Sequence, residues 1–312
     1  MMSNIVTAHD FMRRKLVTLH PSDKVLVGVE RLLKHNISGA PVVDADGRYQ
    51  GVFSEKCSIH ALTRSIETAS KIGLDQMTAF HVMKTDLVTL SPETDVFEAI
   101  DHVLAQRISG APVVDAEGNF LGIFSEKNAM RVLIYAAYEH MPCTKVKTYM
   151  NTDRNRLVAQ DAHLLDVAYK FQHTPYRRLP VLIGTSLAGQ ISRRDLLRAA
   201  VALAKRVAER AAQDPQVAAL NSVEIEAEIG AFQDVHATTI TPEADLLEIA
   251  QIFLNSPYRR LPVLEAGQLV GQVSRRDLLE AAAALLRPPT ILKRPSPLYL
   301  SQLNETAPPS LQ

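Results

Sequence analysis

Several things that usually announce a function are scarce in this chain. Its 312 residues include two cysteines, Cys57 and Cys143, too few for a disulfide framework and at no spacing that suits a metal ion. They read as ordinary thiols of a reducing cytosol. Neither sign of charge is in surplus, with 34 basic and 34 acidic residues. That balance excludes a general nucleic-acid binder, whose grip on phosphates needs an excess of Lys and Arg. No apolar run approaches the roughly 18 residues of a membrane helix, and the opening MMSNIVTAHDFMRRK lacks the apolar stretch of a secretory signal. A Gly-rich phosphate loop, a metal cluster and a nucleophile with an identifiable base are all missing, and the ten histidines show no metal or triad spacing. The expectation is a non-catalytic cytoplasmic protein, without cofactor, metal, nucleic-acid or membrane partner.

What the chain has is repetition. LVTLHPSDKVLVGVERLLKHNISGAPVVDADGRYQGVFSEK begins at Leu16, and LVTLSPETDVFEAIDHVLAQRISGAPVVDAEGNFLGIFSEK begins 71 residues later at Leu87. In the other half, HTPYRRLPVLIGTSLAGQISRRDLLRAA around Pro175 returns 82 residues later as NSPYRRLPVLEAGQLVGQVSRRDLLEAA around Pro257. Four related units therefore form two halves.

The units share one grammar. A β-rich piece leads into an amphipathic helix, with Val96, Ile100, Val103 and Leu104 at helical spacing in the second unit and Leu246, Ile249, Ile252 and Phe253 in the fourth. An apolar strand (APVV or LPVL) follows, then a turn such as Asp44-Ala45-Asp46-Gly47, then a strand ending in GVFS, GIFS, GQIS or GQVS. The Ser opens a second helix. Such a unit of about 60 residues is small to stand alone, so pairing is expected to bury its open sheet face. The fold class is α/β (α+β), a β-α-β-β-α unit four times over.

This order, with the Leu-Pro-Val strand and the G-h-h-S-x-x-D strand end (h apolar), resembles the cystathionine-β-synthase (CBS) domain over residues 7 to 287. The resemblance implies two modules of paired units with clefts that bind adenosine-containing ligands in many members. The layout is similar to the γ subunit of AMP-activated protein kinase and equally to a stand-alone bacterial-type CBS protein. The expected divisions are 7–70, 78–140, 141–205 and 230–287 for the repeats, 206–229 for a helical linker and 288–312 for a Pro- and Ser-rich tail, disordered or strapped to the surface.

Ser192-x-x-Asp195 and Ser274-x-x-Asp277 have the form of a capping box. The corresponding first-half segments keep the Ser but carry Cys57 and Asn128 in place of the acid. Aligned on the strand Pro, Arg177-Arg178 and Arg259-Arg260 stand opposite Ser38-Gly39 and Ser109-Gly110. Two arginines and one aspartate are thus present together in the second half and absent together in the first. A carboxylate can take both hydroxyls of a ribose, and the arginine fork matches phosphate. By the family resemblance, Ser192, Asp195, Ser274 and Asp277 hold ribose and Arg177, Arg178, Arg259 and Arg260 face phosphate, in the clefts of the second pair. The adenine is expected near Val158 and Ile240.

AMP, ADP or ATP is the expected ligand. S-adenosylmethionine fits less well, because its sulfonium would meet arginine pairs. Arg193, Arg194, Arg275 and Arg276 read as exposed helix-start residues, and Tyr176 and Tyr258 as packing beside the strand. Ile37-Ser38-Gly39 and its twin read as a surface for dimerisation or for a protein partner, and the helix following Asp195 as an interface with a second copy. The alternative reading is a CBS adaptor with empty clefts that acts through a homodimer and an unidentified protein partner.

Overall fold

A computed structural model describes residues 6–138, 144–220 and 226–286. Cys143, part of the linker and the tail 288–312 lie outside the described residues. The first repeat runs through a single helical turn α1 (Ala8–Phe11), α2 (Val25–Lys34), the hairpin β1 (Gly39–Val43) and β2 (Tyr49–Ser54), and α3 (Glu55–Lys71). The second repeats this as α4 (Ala79–Val82), α5 (Val96–Ala105), β3 (Gly110–Val114), β4 (Phe120–Ser125) and α6 (Glu126–Tyr138). The third has α7 (Val146–Tyr149), β5 (Val158–Ala159), α8 (Leu164–His173), β6 (Arg178–Ile183), β7 (Ser186–Ser192) and α9 (Arg193–Ala211). After α10 (Pro215–Leu220), the fourth has α11 (Leu246–Asn255), β8 (Arg260–Glu265), β9 (Gln268–Ser274) and α12 (Arg275–Leu286).

Local chemistry explains these elements. Asp95 and Asp245 cap α5 and α11 by accepting from Phe97 N (2.8 Å) and Glu248 N (2.8 Å). Val96, Ile100 and Val103 turn into the core, as do Ile249 and Phe253. In the β1–β2 turn, Asp44 Oδ1 accepts from the amides of Asp46 and Arg48, and Gly47 supplies the positive φ of 78°. The expected lead strand is much reduced. In the third repeat it is the two-residue β5, parallel to β6; in the others it is a single parallel bridge, Leu19 to Val42, Leu90 to Val113 and Ile240 to Val263.

Pairing between repeats crosses the two halves, which corrects the expectation of a second-half cleft. Val52 bridges Asp234 and Arg13 bridges Gln272, joining the sheets of repeats one and four. Ile123 bridges Asn151 and Lys84 bridges Gln190, joining two and three. The glycine of each G-h-h-S strand makes room for this crossing. A Cβ on Gly51 would lie 2.8 Å from the Asp234 carbonyl oxygen, and one on Gly122 2.8 Å from that of Asn151.

The helices pair differently again. One core joins repeats one and three, with Ile59, Leu62 and Ile66 of α3 packed with Leu196, Leu203 and Val207 of α9. The other joins two and four, with Met130 and Leu133 of α6 beside Leu278 and Leu279 of α12. The helix following Asp195, expected to meet a second copy, thus buries its apolar stripe against α3 of the same chain. Each repeat has one sheet partner and a different helix partner, and all four meet at a centre.

Candidate functional site

The strand-end serines cap the helices that follow, and the acids complete the box. Ser192 N donates to Asp195 Oδ2 (2.9 Å) and Ser274 N to Asp277 Oδ2 (2.8 Å), with each Ser hydroxyl on the same oxygen. Asn128 does the same work, accepting from Ser125 N at 3.0 Å through Oδ1. Capping therefore needs no charge in this position. What Asp195 and Asp277 add is a second, anionic oxygen held in fixed orientation. Asp277 Oδ1 accepts from Arg13 Nε at 2.8 Å, while Asp195 Oδ1 lies 3.1 Å from Arg198 and 3.9 Å from Lys84. Arg13 and Lys84 come from the lead segments of the sheet-partner repeats. The carboxylate at Asp277 raises the Arg13 pKa through that hydrogen bond.

The Arg-Arg pairs split their duties. Arg177 reaches α3 of the first repeat, donating to Glu55 at 3.1 Å, while Arg178 donates to the Gly110 carbonyl of the second at 2.8 Å. By the same pseudo-symmetry, Arg259 takes Glu126 of the second repeat at 2.6 Å and Arg260 takes the Gly39 carbonyl of the first at 3.0 Å. Glu55 and Glu126 also hold Arg194 (3.1 Å) and Arg276 (3.6 Å). Both glutamates are almost wholly buried, at 5% and 2% exposure.

Both Arg-Arg pairs, Glu55, Glu126, Arg194, Arg276, Arg13 and Asp277 surround one central cavity of about 560 Å³, within the range of small-ligand sites. Its wall carries nine Lys or Arg side chains against three carboxylates, Glu55, Glu126 and Asp277. The crowding leaves a mark on the arginines. Burial, with the like charge of Arg259 next, lowers the Arg177 pKa well below its ordinary value and brings Arg260 to about 10. A multivalent anion would relieve this potential.

The expected site residues are brought together in part. Arg177, Arg178, Arg259, Arg260, Ser192, Ser274 and Asp277 line the cavity; Asp195 stands behind Ser192, outside the lining. Val158 and Ile240, expected at the base, instead form the third strand positions of their sheets and sit in the cores at 7% and 6% exposure. The apolar lining is Ile37 together with two residues of the first repeat's lead segment, Leu16 and Val17. Neither was expected, because the sheet partner that supplies them is far away in sequence. Glu55 and Glu126 were missed too, although Ser-Glu in the first half and Arg-Arg in the second sort together in the repeats.

Two further expectations are corrected. Arg193 and Arg275 are buried, at 6% and 8% exposure, and donate to the last carbonyls of α8 and α11: Arg193 to Thr174 O and Arg275 to Phe253 O and Ser256 O, each at 3.1 Å. Burial brings both to a pKa of about 10. Arg194 and Arg276 face the cavity instead of solvent. The Gly39 and Gly110 carbonyls accept from Arg260 and Arg178 of the same chain, and Ser38, Gly39 and Ser109 line the cavity. Tyr176 and Tyr258 hydrogen-bond Asp153 and Asp234. Among the described residues no group of His, Cys, Asp or Glu could hold a metal ion, and no helix is long and apolar enough to cross a membrane.

Several known proteins are similar to this chain. Protein MJ1225 of Methanocaldococcus jannaschii is 24% identical over 280 residues, which cover 86% of this chain and 95% of that one. Its crystal structure, that of a protein proposed as an archaeal homologue of γ-AMPK, matches with 20% identity over 88% of this chain and 99% of its own, at a TM-score of 0.40. The crystal structure of CBSX2 in complex with AMP matches 40% of this chain and 97% of its own at 26% identity and a TM-score of 0.34. Inosine-5'-monophosphate dehydrogenase of M. jannaschii is 26% identical over 40% of this chain but only 23% of the enzyme. The family model for the CBS domain matches residues 8–56, 79–135, 146–202 and 232–284, more than half of the chain. With a match in every repeat, the chain belongs to the CBS-domain family.

Proposed function

We propose that this is a non-catalytic regulatory protein that binds an adenine nucleotide in the central cavity. The ribose hydroxyls face Asp277 Oδ1, which now accepts from Arg13, and the Ser274 hydroxyl, and the base lies against Leu16 and Val17. The phosphates point inward to Arg177, Arg178, Arg259 and Arg260, with Ser192 and Asp195 at the pseudo-symmetric position across the centre. The observation that carries this reading is the meeting of both Arg-Arg pairs with Asp277 around one hollow. A nucleotide has a neutral diol at one end and concentrated negative charge at the other, and the wall offers a carboxylate with a serine hydroxyl for the first and clustered guanidiniums for the second.

Regulation follows from who holds the arginines beforehand. Arg177–Glu55 and Arg259–Glu126 link repeats one to three and two to four. Phosphates that draw these guanidiniums inward weaken those links and favour a different packing of the helix pairs, because a ligand shifts an equilibrium through the contacts that differ between its states. Calorimetric titration of the purified chain with AMP, ADP, ATP and S-adenosylmethionine tests the proposal. The expected result is adenylate binding and a melting temperature that rises with its concentration; at 100 times the dissociation constant the gain is about 2.7 kcal/mol. Absence of binding and stabilisation by every adenosine compound would return the protein to the adaptor reading.

A further inference from the structure

The cavity between the second and third repeats adjoins the central one and shares part of its wall, but the rest of its chemistry differs. It measures about 390 Å³ and lies where Ile123 and Asn151 join the two sheets. Lys127 and Arg131 enter it from one face of α6, Arg156 from the third repeat and Arg275 from the start of α12. At its inner end it shares Arg177, Arg178 and Arg259 with the central cavity.

Two carboxylates stand in this wall, and both are engaged. Glu126 is held by Arg259 and Arg276, while Asp153 accepts the Tyr176 hydroxyl and the Asn155 amide. Lys127 feels mainly burial and the like charges of Arg275 and Arg131, which lower its pKa. The Nε atoms of Arg156 and Arg275 are buried without a hydrogen-bond partner. A half-enclosed wall of like charges is the setting in which a multivalent anion gains most.

The grip for a sugar is missing here. Where the third and fourth repeats have Asp195 and Asp277, this cleft has Asn128, and its amide is spent at both ends. Nδ2 donates to the Tyr149 carbonyl at 2.6 Å, and Oδ1 accepts from Ser125 N at 3.0 Å. No anionic oxygen stands at that place to receive two hydroxyls.

The geometry points to a second anion site in this cavity, made for an inorganic di- or polyphosphate that carries no sugar. It rests on the nucleotide proposal in assigning the sugar-bearing ligand to the other cavity, and the cations that belong to this cavity alone are Lys127, Arg131, Arg156 and Arg275.

Inorganic pyrophosphate titrated calorimetrically into the full-length protein and its Lys127→Gln/Arg131→Gln variant tests the site. Both side chains are at least partly exposed, so the variant is expected to melt like the parent. The expected result is loss of one pyrophosphate-binding event, or its weakening by about tenfold or more for each cation removed. Asp277→Asn should leave that event unchanged, and ADP should bind the parent and the double variant equally. Superimposable pyrophosphate isotherms for the parent and the double variant would overturn the site. An ADP affinity that falls in step with pyrophosphate would overturn its sugar-free character. If pyrophosphate separates the two proteins while no adenosine compound binds either, the nucleotide proposal fails and this one stands.

Discussion

Asp277 performs two tasks with two oxygens, and the repeats themselves supply the means of separating them. Oδ2 closes the capping box on Ser274, while Oδ1 faces Arg13 and the cavity. Asn128 closes the same box as an amide. Asp277→Asn should therefore keep the helix start and remove only the charge. Nucleotide affinity is expected to fall by about 1.5–3 kcal/mol, as for other hydrogen bonds to charged groups, with the melting temperature nearly unchanged. Asp277→Ala should show the same affinity loss plus about 0.5–2 kcal/mol of lost stability. Calorimetry and thermal melting of the two variants check both parts; an Asp277→Asn protein that melts lower but binds normally would reduce the residue to a cap. At this scale the internal comparison of repeats made much of the site legible, because Arg177, Arg178 and Asp277 stand out against Ser38, Gly39 and Cys57. It could not reveal Leu16 and Val17, which enter the cavity from a sheet partner more than 250 residues away in the chain.

Elements meet here through close backbone approach as much as through apolar packing. The lead segment of the third repeat crosses β4, with Ile123 N donating to Asn151 O at 2.9 Å and Asn151 N to Ile123 O at 2.8 Å. Gly122 makes this approach possible, and the obstacle to a side chain there is a backbone carbonyl that cannot rotate aside. Gly122→Ala is expected to cost about 1–3 kcal/mol, the usual range for overpacking. Gly230→Ala is the natural comparison, since the nearest atom to its added Cβ lies at an ordinary 3.4 Å. Chemical denaturation of both variants checks the expectation, with Gly230→Ala close to the parent. The strand-end glycines were visible in the sequence as a repeated letter. Their cause was not, since it lies in the repeat that crosses over each of them. The same holds for Arg193 and Arg275, whose buried carbonyl partners sit about 20 residues upstream at the ends of α8 and α11.

At the scale of the whole molecule, the two sheet-joined modules do not coincide with the two halves of the chain. Sheets join repeat one to four and two to three, and helices join one to three and two to four. The repetition made four units plain and the fold class with them, yet similarity between neighbours in sequence suggested partnership where there is duplication. The units that resemble each other most occupy equivalent positions and face the dissimilar pair, so each Ser-Glu helix start meets an Arg-Arg strand. A cut between residues 138 and 144 therefore leaves each half without its sheet partners and its helix partners. The first half alone would expose the α3 stripe of Ile59, Leu62 and Ile66, now buried by α9; uncovering such side chains costs about 1.5–3 kcal/mol each. Expressed separately, residues 1–140 and 141–312 are expected to aggregate or remain unfolded. Co-expressed, they should associate into one complex with the melting behaviour and ligand binding of the intact chain. Size-exclusion chromatography and circular dichroism distinguish the outcomes. Two halves that each fold as a stable monomer would contradict the crossed pairing, and with it the shared cavity that needs all four repeats.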